Sequence, residues 1–198
     1  MKDWFQKIEL ELDGIKLVPL EKAHKNGLLK AASDGELWNL WVTSVPSETT
    51  ISDYIETALS NKKRQTAIPF TVIDIKTNAI IGTTRYMNVE AENRRLEIGS
   101  TWYAKSYQRT GVNTICKFLL LQYAFETLET VAVEFRTHWF NHASRNAITR
   151  LGAKQDGVLR NHRTDLDGAL RDTVVFSIIN AEWPTVKKSL LYEINKYN

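Results

Sequence analysis

The sequence predicts a mixed α/β domain built on a partly antiparallel sheet, and three observations carry that reading. Two apolar-alternating arms flank Asp13-Gly14, a strong hairpin turn pair. Three strand-like runs follow one another between residues 70 and 103. After Gly111 the apolar period changes from two to the spacing of a helix.

Residues 8–20 read as the two arms of the first hairpin. Residues 21–33 and 50–61 read as helices, the second opening on Thr50-Ile51-Ser52-Asp53, whose hydroxyls suit a helix start. Between them lies the aromatic and irregular stretch Leu37-Trp38-Asn39-Leu40-Trp41, then Val45-Pro46-Ser47. Residues 70–75, 79–89 and 96–103 are strands, with Lys76-Thr77-Asn78 as the first turn between them. Val112, Ile115, Cys116, Leu119 and Tyr123 share one helical face, and Phe118, Leu121 and Phe125 add another. A helix apolar on two faces is a buried one. Val131, Val133 and Phe135 alternate as a strand does. Residues 142–151 form a short helix stopped at Gly152. Residues 158–162 and 169–179 form a closing hairpin turning at Asp167-Gly168, and the tail from Glu182 is helical after Pro184.

Composition bounds the function. The 198 residues, 43% apolar and 25% charged, suit a folded globule, and residues 1–198 read as a single domain. The one cysteine, Cys116, excludes an intrachain disulfide. It lies on an apolar helical face, where a thiol is a small inert hydrophobe. The start at Met1-Lys2-Asp3-Trp4 has no signal-like apolar stretch, and the longest apolar cluster, 118–125, is far short of a membrane span. A cytoplasmic location with no membrane contact is expected. Net charge is +3, with 13 Lys+Arg against 14 Asp+Glu in residues 1–99 and 13 against 9 in residues 100–198. That mild excess is no nucleic-acid footprint, but it suits a C-terminal half that handles a compact anion.

Three segments carry chemistry. Gln108-Arg109-Thr110-Gly111-Val112-Asn113-Thr114 joins a strand to the buried helix. A glycine loop feeding a helix leaves backbone N–H groups free for phosphate, unless it is only a helix start capped by Thr110. It is neither a Walker loop nor a dinucleotide fingerprint. Asn141-His142-Ala143-Ser144 follows a strand; Asn141 is placed to cap a helix, and the alternative is that it faces a cleft at the sheet's end together with Ser144. Glu97 in Leu96-Glu97-Ile98-Gly99 is a carboxylate inside an apolar strand, which is costly unless paired or used. Arg160-Asn161-His162-Arg163 is a basic cluster at a strand end. His138 and His142 straddle a helix start, no His-Glu-x-x-His occurs, and no metal is expected; no Gly-x-Ser-x-Gly elbow occurs either.

In order and spacing these segments resemble the GNAT superfamily of acyl-CoA-dependent N-acetyltransferases, in the branch of the ribosomal-protein N-terminal (Rim-type) enzymes. The resemblance runs from about Phe70 to Pro184. It rests on Leu96-Glu97-Ile98-Gly99-Ser100-Thr101-Trp102, the 108–113 loop, Asn141-x-x-Ser144, Leu151-Gly152-Ala153, Gly157-Val158-Leu159-Arg160, Asp167-Gly168 and Arg171-Asp172. It implies a GNAT fold, a mixed sheet of about seven strands flanked by helices, with acetyl-CoA as co-substrate and no metal. The loop Gln108, Arg109, Thr110, Gly111, Val112, Asn113 and Thr114 would wrap the coenzyme pyrophosphate, Asn113 standing where a small residue is usual. Ile98, Gly99, Ser100 and Thr101 would pair with the pantetheine arm and offer an oxyanion donor. Asn141 would contact the coenzyme, and Ser144 would serve as general acid. Glu97 is the first candidate base and His162 the second.

The implied activity is acetyl transfer to a primary amine, a protein N-terminal α-amine or a small amine, by direct attack on the thioester. Trp38, Trp41 and the loop 43–47 would line the acceptor side; a pocket rich in carboxylates, with Glu48, Glu90 and Glu92 as possible linings, would favour polycationic acceptors. A non-catalytic acetyl-CoA-binding module and a small-molecule (antibiotic or polyamine) acetyltransferase are the alternatives. The family is met as monomers and homodimers.

Overall fold

The computed structural model describes residues 3–165 and 167–196. Asp13 and Gly14 take positive φ (45° and 77°) and close β1 (Leu10–Leu12) onto β2 (Ile15–Pro19). This is the two-residue turn whose twist matches the strands it joins. Helices α1 (Lys25–Ser33) and α2 (Ile51–Lys63) follow. The hydroxyl of Thr50 does not cap α2: it accepts the Ser47 N–H at 2.9 Å and braces the preceding loop. Residues 37–39, expected to be irregular, form a single 3-10 turn entered through Glu36 at φ 46°.

The meander is β3 (Ile68–Asp74), β4 (Ala79–Glu90) and β5 (Arg95–Tyr103), all antiparallel. Helix α3 (Val112–Gln122) then carries the chain over to β6 (Ala132–His138), which runs parallel to β5. A parallel neighbour needs a crossover of this kind. After α4 (His142–Arg150) comes the hairpin β7 (Lys154–Thr164) and β8 (Leu170–Ile179), several residues longer at its start than the apolar pattern suggests. Helix α5 (Trp183–Asn195) holds Pro184 in its first turn, where a missing N–H costs nothing. The described strands form one sheet in the order β1-β2-β3-β4-β5-β6-β8-β7, eight where about seven are expected.

Each face of the sheet buries its own core. On one, α3 and α5 bring Phe118, Leu120 and Trp183 against Tyr86, Leu96, Ile98 and Phe135. The Tyr86 hydroxyl there donates to the Leu120 carbonyl at 2.5 Å, which lets a phenol be fully buried. On the other, α1 and α2 bring Leu28, Ile51 and Ile55 against Leu20, Leu37 and Trp102.

Two irregularities shape the site. Strands β5 and β6 pair on three rungs only: Arg95 with Ala132, Leu96 with Val133, Glu97 with Glu134. Beyond them β5 stays paired to β4 as far as Tyr103, and β6 to β8 as far as His138, so the two parallel strands part into a cleft. Within β5, Gly99 lies opposite Arg85 and Trp102 opposite Thr83, so three steps on β5 face two on β4. The extra residue is a β-bulge, and Ser100 takes φ 45° in it.

Candidate active site

The cleft opens at Glu97. The residue is 7% exposed, and its carboxylate accepts a hydrogen bond from Asn88 Nδ2 at 2.7 Å. Burial pushes its pKa up; the Arg136 guanidinium, 3.7 Å away, and the Asn88 bond offset part of that rise. Beside it, Glu134 is bonded by Arg95 and by Arg136 Nη2 at 2.9 Å. Burial would raise Glu134 too, but its two arginines outweigh burial and hold it low. Past Glu97, residues 98–101 form a strand edge that β6 does not pair.

The loop before α3 has the backbone shape an anion cradle needs. Arg109 takes φ 64° and Gly111 φ 92°, and Gly111 is the N-cap. The first intrahelical bond runs from Ile115 N–H to Gly111 O at 3.1 Å. The N–H groups of Val112, Asn113 and Thr114 therefore stand ahead of the ladder, at the positive end of the helix dipole. Thr110 is not the cap: its hydroxyl turns back to the Tyr107 carbonyl at 2.7 Å. Gln108 Nε2 donates to the Tyr103 carbonyl at 3.0 Å and ties the loop to the end of β5.

Across the cleft, Asn141 caps α4: its Oδ1 accepts the Ser144 N–H at 3.0 Å. Ser144 is half-buried in the first turn, and its hydroxyl takes no part in the cap. His162, on β7, sits 3.0 Å from the Thr173 hydroxyl through Nδ1. Partial burial and the charges of Arg163, Arg136 and Arg171 lower its pKa. Glu97 and His162 thus share the influence of Arg136 and Arg163.

The two tryptophans assigned to the acceptor side separate. Trp38 packs against the α1–α2 core. Trp41 is 69% exposed and lies edge-on to His138 (5.1 Å) and tilted against Phe140 (6.1 Å). Glu48, Glu90 and Glu92 lie on exposed surface.

Several polar residues here escape the sequence reading. Lys117 is buried on α3 and bonds the Thr101 hydroxyl at 2.7 Å; burial lowers its pKa to about 8. Arg85 is buried on β4 with its guanidinium 4.4 Å above the Tyr54 ring. A charged residue inside an apolar strand is the signal that marks Arg85, as it marks Glu97. Cys116, as expected, is fully buried and pushed up to about 12 by burial. No group of metal-ligating side chains occurs among the described residues, and none of the described helices is long and apolar enough to cross a membrane.

Comparison with known proteins agrees with this fold. The family described as Acetyltransferase (GNAT) domain matches residues 15–154. A Bacillus licheniformis protein named Uncharacterized N-acetyltransferase p20 is 26% identical over 114 residues, 58% of this chain and 63% of that protein, so under two thirds of its length is matched. A solved structure from T. thermophilus, provisionally described as an acetyltransferase, is 30% identical with a TM-score of 0.84, covering 97% of this chain and 100% of that one. RimJ of Mycobacterium smegmatis, solved in complex with CoA-disulfide, is 18% identical with a TM-score of 0.77, covering 96% and 95% of the two chains. At that identity the likeness is one of fold.

Proposed function

This chain belongs to the GNAT acetyltransferase family, and we propose that it transfers acetyl from acetyl-CoA to a primary amine in the cleft between β5 and β6. The observation that carries the reading is the parting of those strands at a buried, upshifted carboxylate, beside a loop with N–H donors free. Acetyl-CoA, when bound, supplies the activated acetyl group and a thiolate leaving group. The residues present fit it. The N–H groups of residues 112–114 and the left-handed turn at Gly111 suit its pyrophosphate. The unpaired edge at residues 98–101 suits the amide-bearing arm, and a backbone N–H there is the donor assigned to the developing oxyanion.

The protein's own steps are two proton transfers. Glu97 takes the proton of the attacking amine, directly or through one water. Its burial lifts it towards working pH, which favours it over His162, whose Nδ1 already faces the Thr173 hydroxyl. Ser144 returns a proton to the leaving sulfur, from a helix turn fixed by Asn141. No covalent enzyme species is needed, because a neutral amine attacks directly.

The acceptor assigned is an α-amine. Freeing one with pKa ~8 near pH 7 costs about 1 kcal/mol, against about 5 kcal/mol for a lysine side chain. That suits a site with a single carboxylate base.

The test is calorimetric titration with acetyl-CoA, then thiol release over a panel of peptide N-termini, free amino acids and polyamines. Binding followed by release with α-amines supports the reading. Failure to bind acetyl-CoA overturns it, and release with polyamines alone overturns the acceptor assignment.

A further inference from the structure

Arg85 is 5% exposed, and its Nε and Nη2 are buried without a hydrogen-bond partner. Its position in the sheet explains why. Its cross-strand neighbours are Pro69 on β3 and Gly99 on β5, and neither has a side chain that can accept a hydrogen bond. Tyr54 covers one face of the guanidinium at 4.4 Å and is itself fixed by the Trp102 indole N–H, which donates to its hydroxyl at 3.1 Å. The face of the cation is satisfied; its edge is not. Nε–H and Nη2–H are the parallel pair of donors on one edge of a guanidinium, the fork that a carboxylate's two oxygens match. Burying such a pair unused is costly, and sites that break this rule are expected to be functional.

The orphaned edge belongs to a residue on the same face of the sheet as Glu97. Arg85 stands opposite Gly99, two residues past Glu97 on the same face of the sheet. That face is shared with Met87, as the space beside Gly99 shows: a Cβ there would meet Met87 Sδ at 2.8 Å and Glu97 Oε1 at 2.9 Å. Any side chain at position 99 would crowd Met87 and Glu97, so glycine keeps a further side chain off this face beside the carboxylate assigned as base. Arg136 and Arg163 add positive charge on the other side of Glu97. A cleft of this kind does not suit a polycation.

We infer that Arg85 anchors a carboxylate of the acceptor, so that the preferred substrate is a primary amine with a carboxylate one or two residue lengths from its nitrogen. A free amino acid and an N-terminal Asp or Glu of a peptide share that chemistry. This rests on the acetyltransferase reading above and names the substrate class of the same site.

The experiment compares acetylation of free amino acids with their carboxamides, and of peptides starting with Asp or Glu with those starting with Asn or Gln. The native protein, Arg85→Met and Arg85→Lys are run together, after acetyl-CoA binding is measured for each. The expected result is a kcat/KM at least about tenfold higher for the carboxylate member of a pair, with the ratio falling to about one in Arg85→Met and retained in part in Arg85→Lys. The free pairs and the peptide pairs decide between the two sources. Equal rates for both members in the native protein, or a preference that survives Arg85→Met, overturn the inference. A readout without turnover covers an inactive panel or a variant that does not fold. In the native protein saturated with CoA, the Arg85 Nε–H resonance should shift on titration with glutamate and aspartate and stay put with their diamides; no shift overturns the inference. Loss of acetyl-CoA binding by the native protein would instead sink the acetyltransferase reading.

Discussion

Glu97 and Glu134 face each other on the last paired rung of β5 and β6, and Arg136 reaches both, at 3.7 and 2.9 Å. Two neighbouring carboxylates are thereby pushed apart in acidity. Burial wins at Glu97 and raises it; hydrogen bonds from Arg95 and Arg136 win at Glu134 and lower it. Pairs separated by environment in this way mark acid–base assignments. Glu134 is held low and holds Arg136, while Glu97, held high, is the carboxylate we propose as the base.

Replacing Glu97 by Gln should cut kcat/KM by about 10² to 10⁴-fold and remove the acid limb of its pH profile. In the native protein that limb should lie above the ordinary glutamate range, because the folded pKa is raised. The stability sign follows from the same shift. Between its unfolded and folded pKa the native state binds more protons at this site, so the contribution is lost as pH rises through the folded value. Glu97→Gln should therefore melt no lower than the native protein at pH values above that limb, where the native carboxylate is both charged and buried. An unchanged pH–rate profile would leave His162 as the base.

Asn141 and Ser144 sit on one helix turn, but their roles separate. Asn141→Ala removes the cap on the Ser144 N–H and should cost about 1 kcal/mol of stability. Ser144→Ala keeps that N–H and should leave the melting temperature and acetyl-CoA affinity near native while turnover falls tenfold or more. Thermal melts and coenzyme titration on both variants check this. A Ser144→Ala protein with native turnover is incompatible with Ser144 as the acid.

Local chemistry made much of the fold legible. Asp13-Gly14 turns where that pair should, the apolar spacing after Gly111 yields the buried α3, and Asn141 caps the helix its position suggests. Of the candidate site, Glu97 was legible because it breaks a local rule, a carboxylate inside an apolar strand. What escaped depends on long-range register. The parting of β5 from β6 and the bulge at Ser100 are set by partners far along the chain. The empty edge of Arg85 exists because Pro69 and Gly99 happen to flank it. Thr50 and Thr110 look like caps in sequence, yet both bond the preceding loop, since hydroxyls serve turns as readily as helix starts.

Lys117 should prove a burden on stability. Its ammonium is buried between α3 and the sheet, with the hydroxyls of Thr101 (2.7 Å) and Thr84 (3.3 Å) as hydrogen-bond partners. With a folded pKa of about 8 against 10.5 unperturbed, the unfolded state binds more protons between those values, so native stability should rise with pH from about 8 to 10. Lys117→Met should flatten that rise and gain up to about 3 kcal/mol at pH 7, less whatever the Thr101 bond returns. Denaturant melts at pH 7 and pH 9.5 give both numbers. A variant less stable at both pH values would mean that the hydrogen bonds outweigh desolvation.

Gly99→Ala tests how closely the cleft is fitted. Gly99 has an ordinary negative-φ backbone, so alanine adds no strain there, and the whole effect is the new methyl. That methyl would lie 2.8 Å from Met87 Sδ and 2.9 Å from Glu97 Oε1. The thioether can swing away at small cost. The carboxylate can move only by stretching its bond from Asn88 and shifting against Arg136. Stability should therefore drop by only about 1 kcal/mol, while turnover falls at least tenfold if the proposed base is displaced. The double variant Gly99→Ala/Met87→Ala separates the two neighbours. It relieves the contact with sulfur and leaves the contact with the carboxylate, so turnover should stay low. Recovery in the double variant would show that Met87, not Glu97, transmitted the damage.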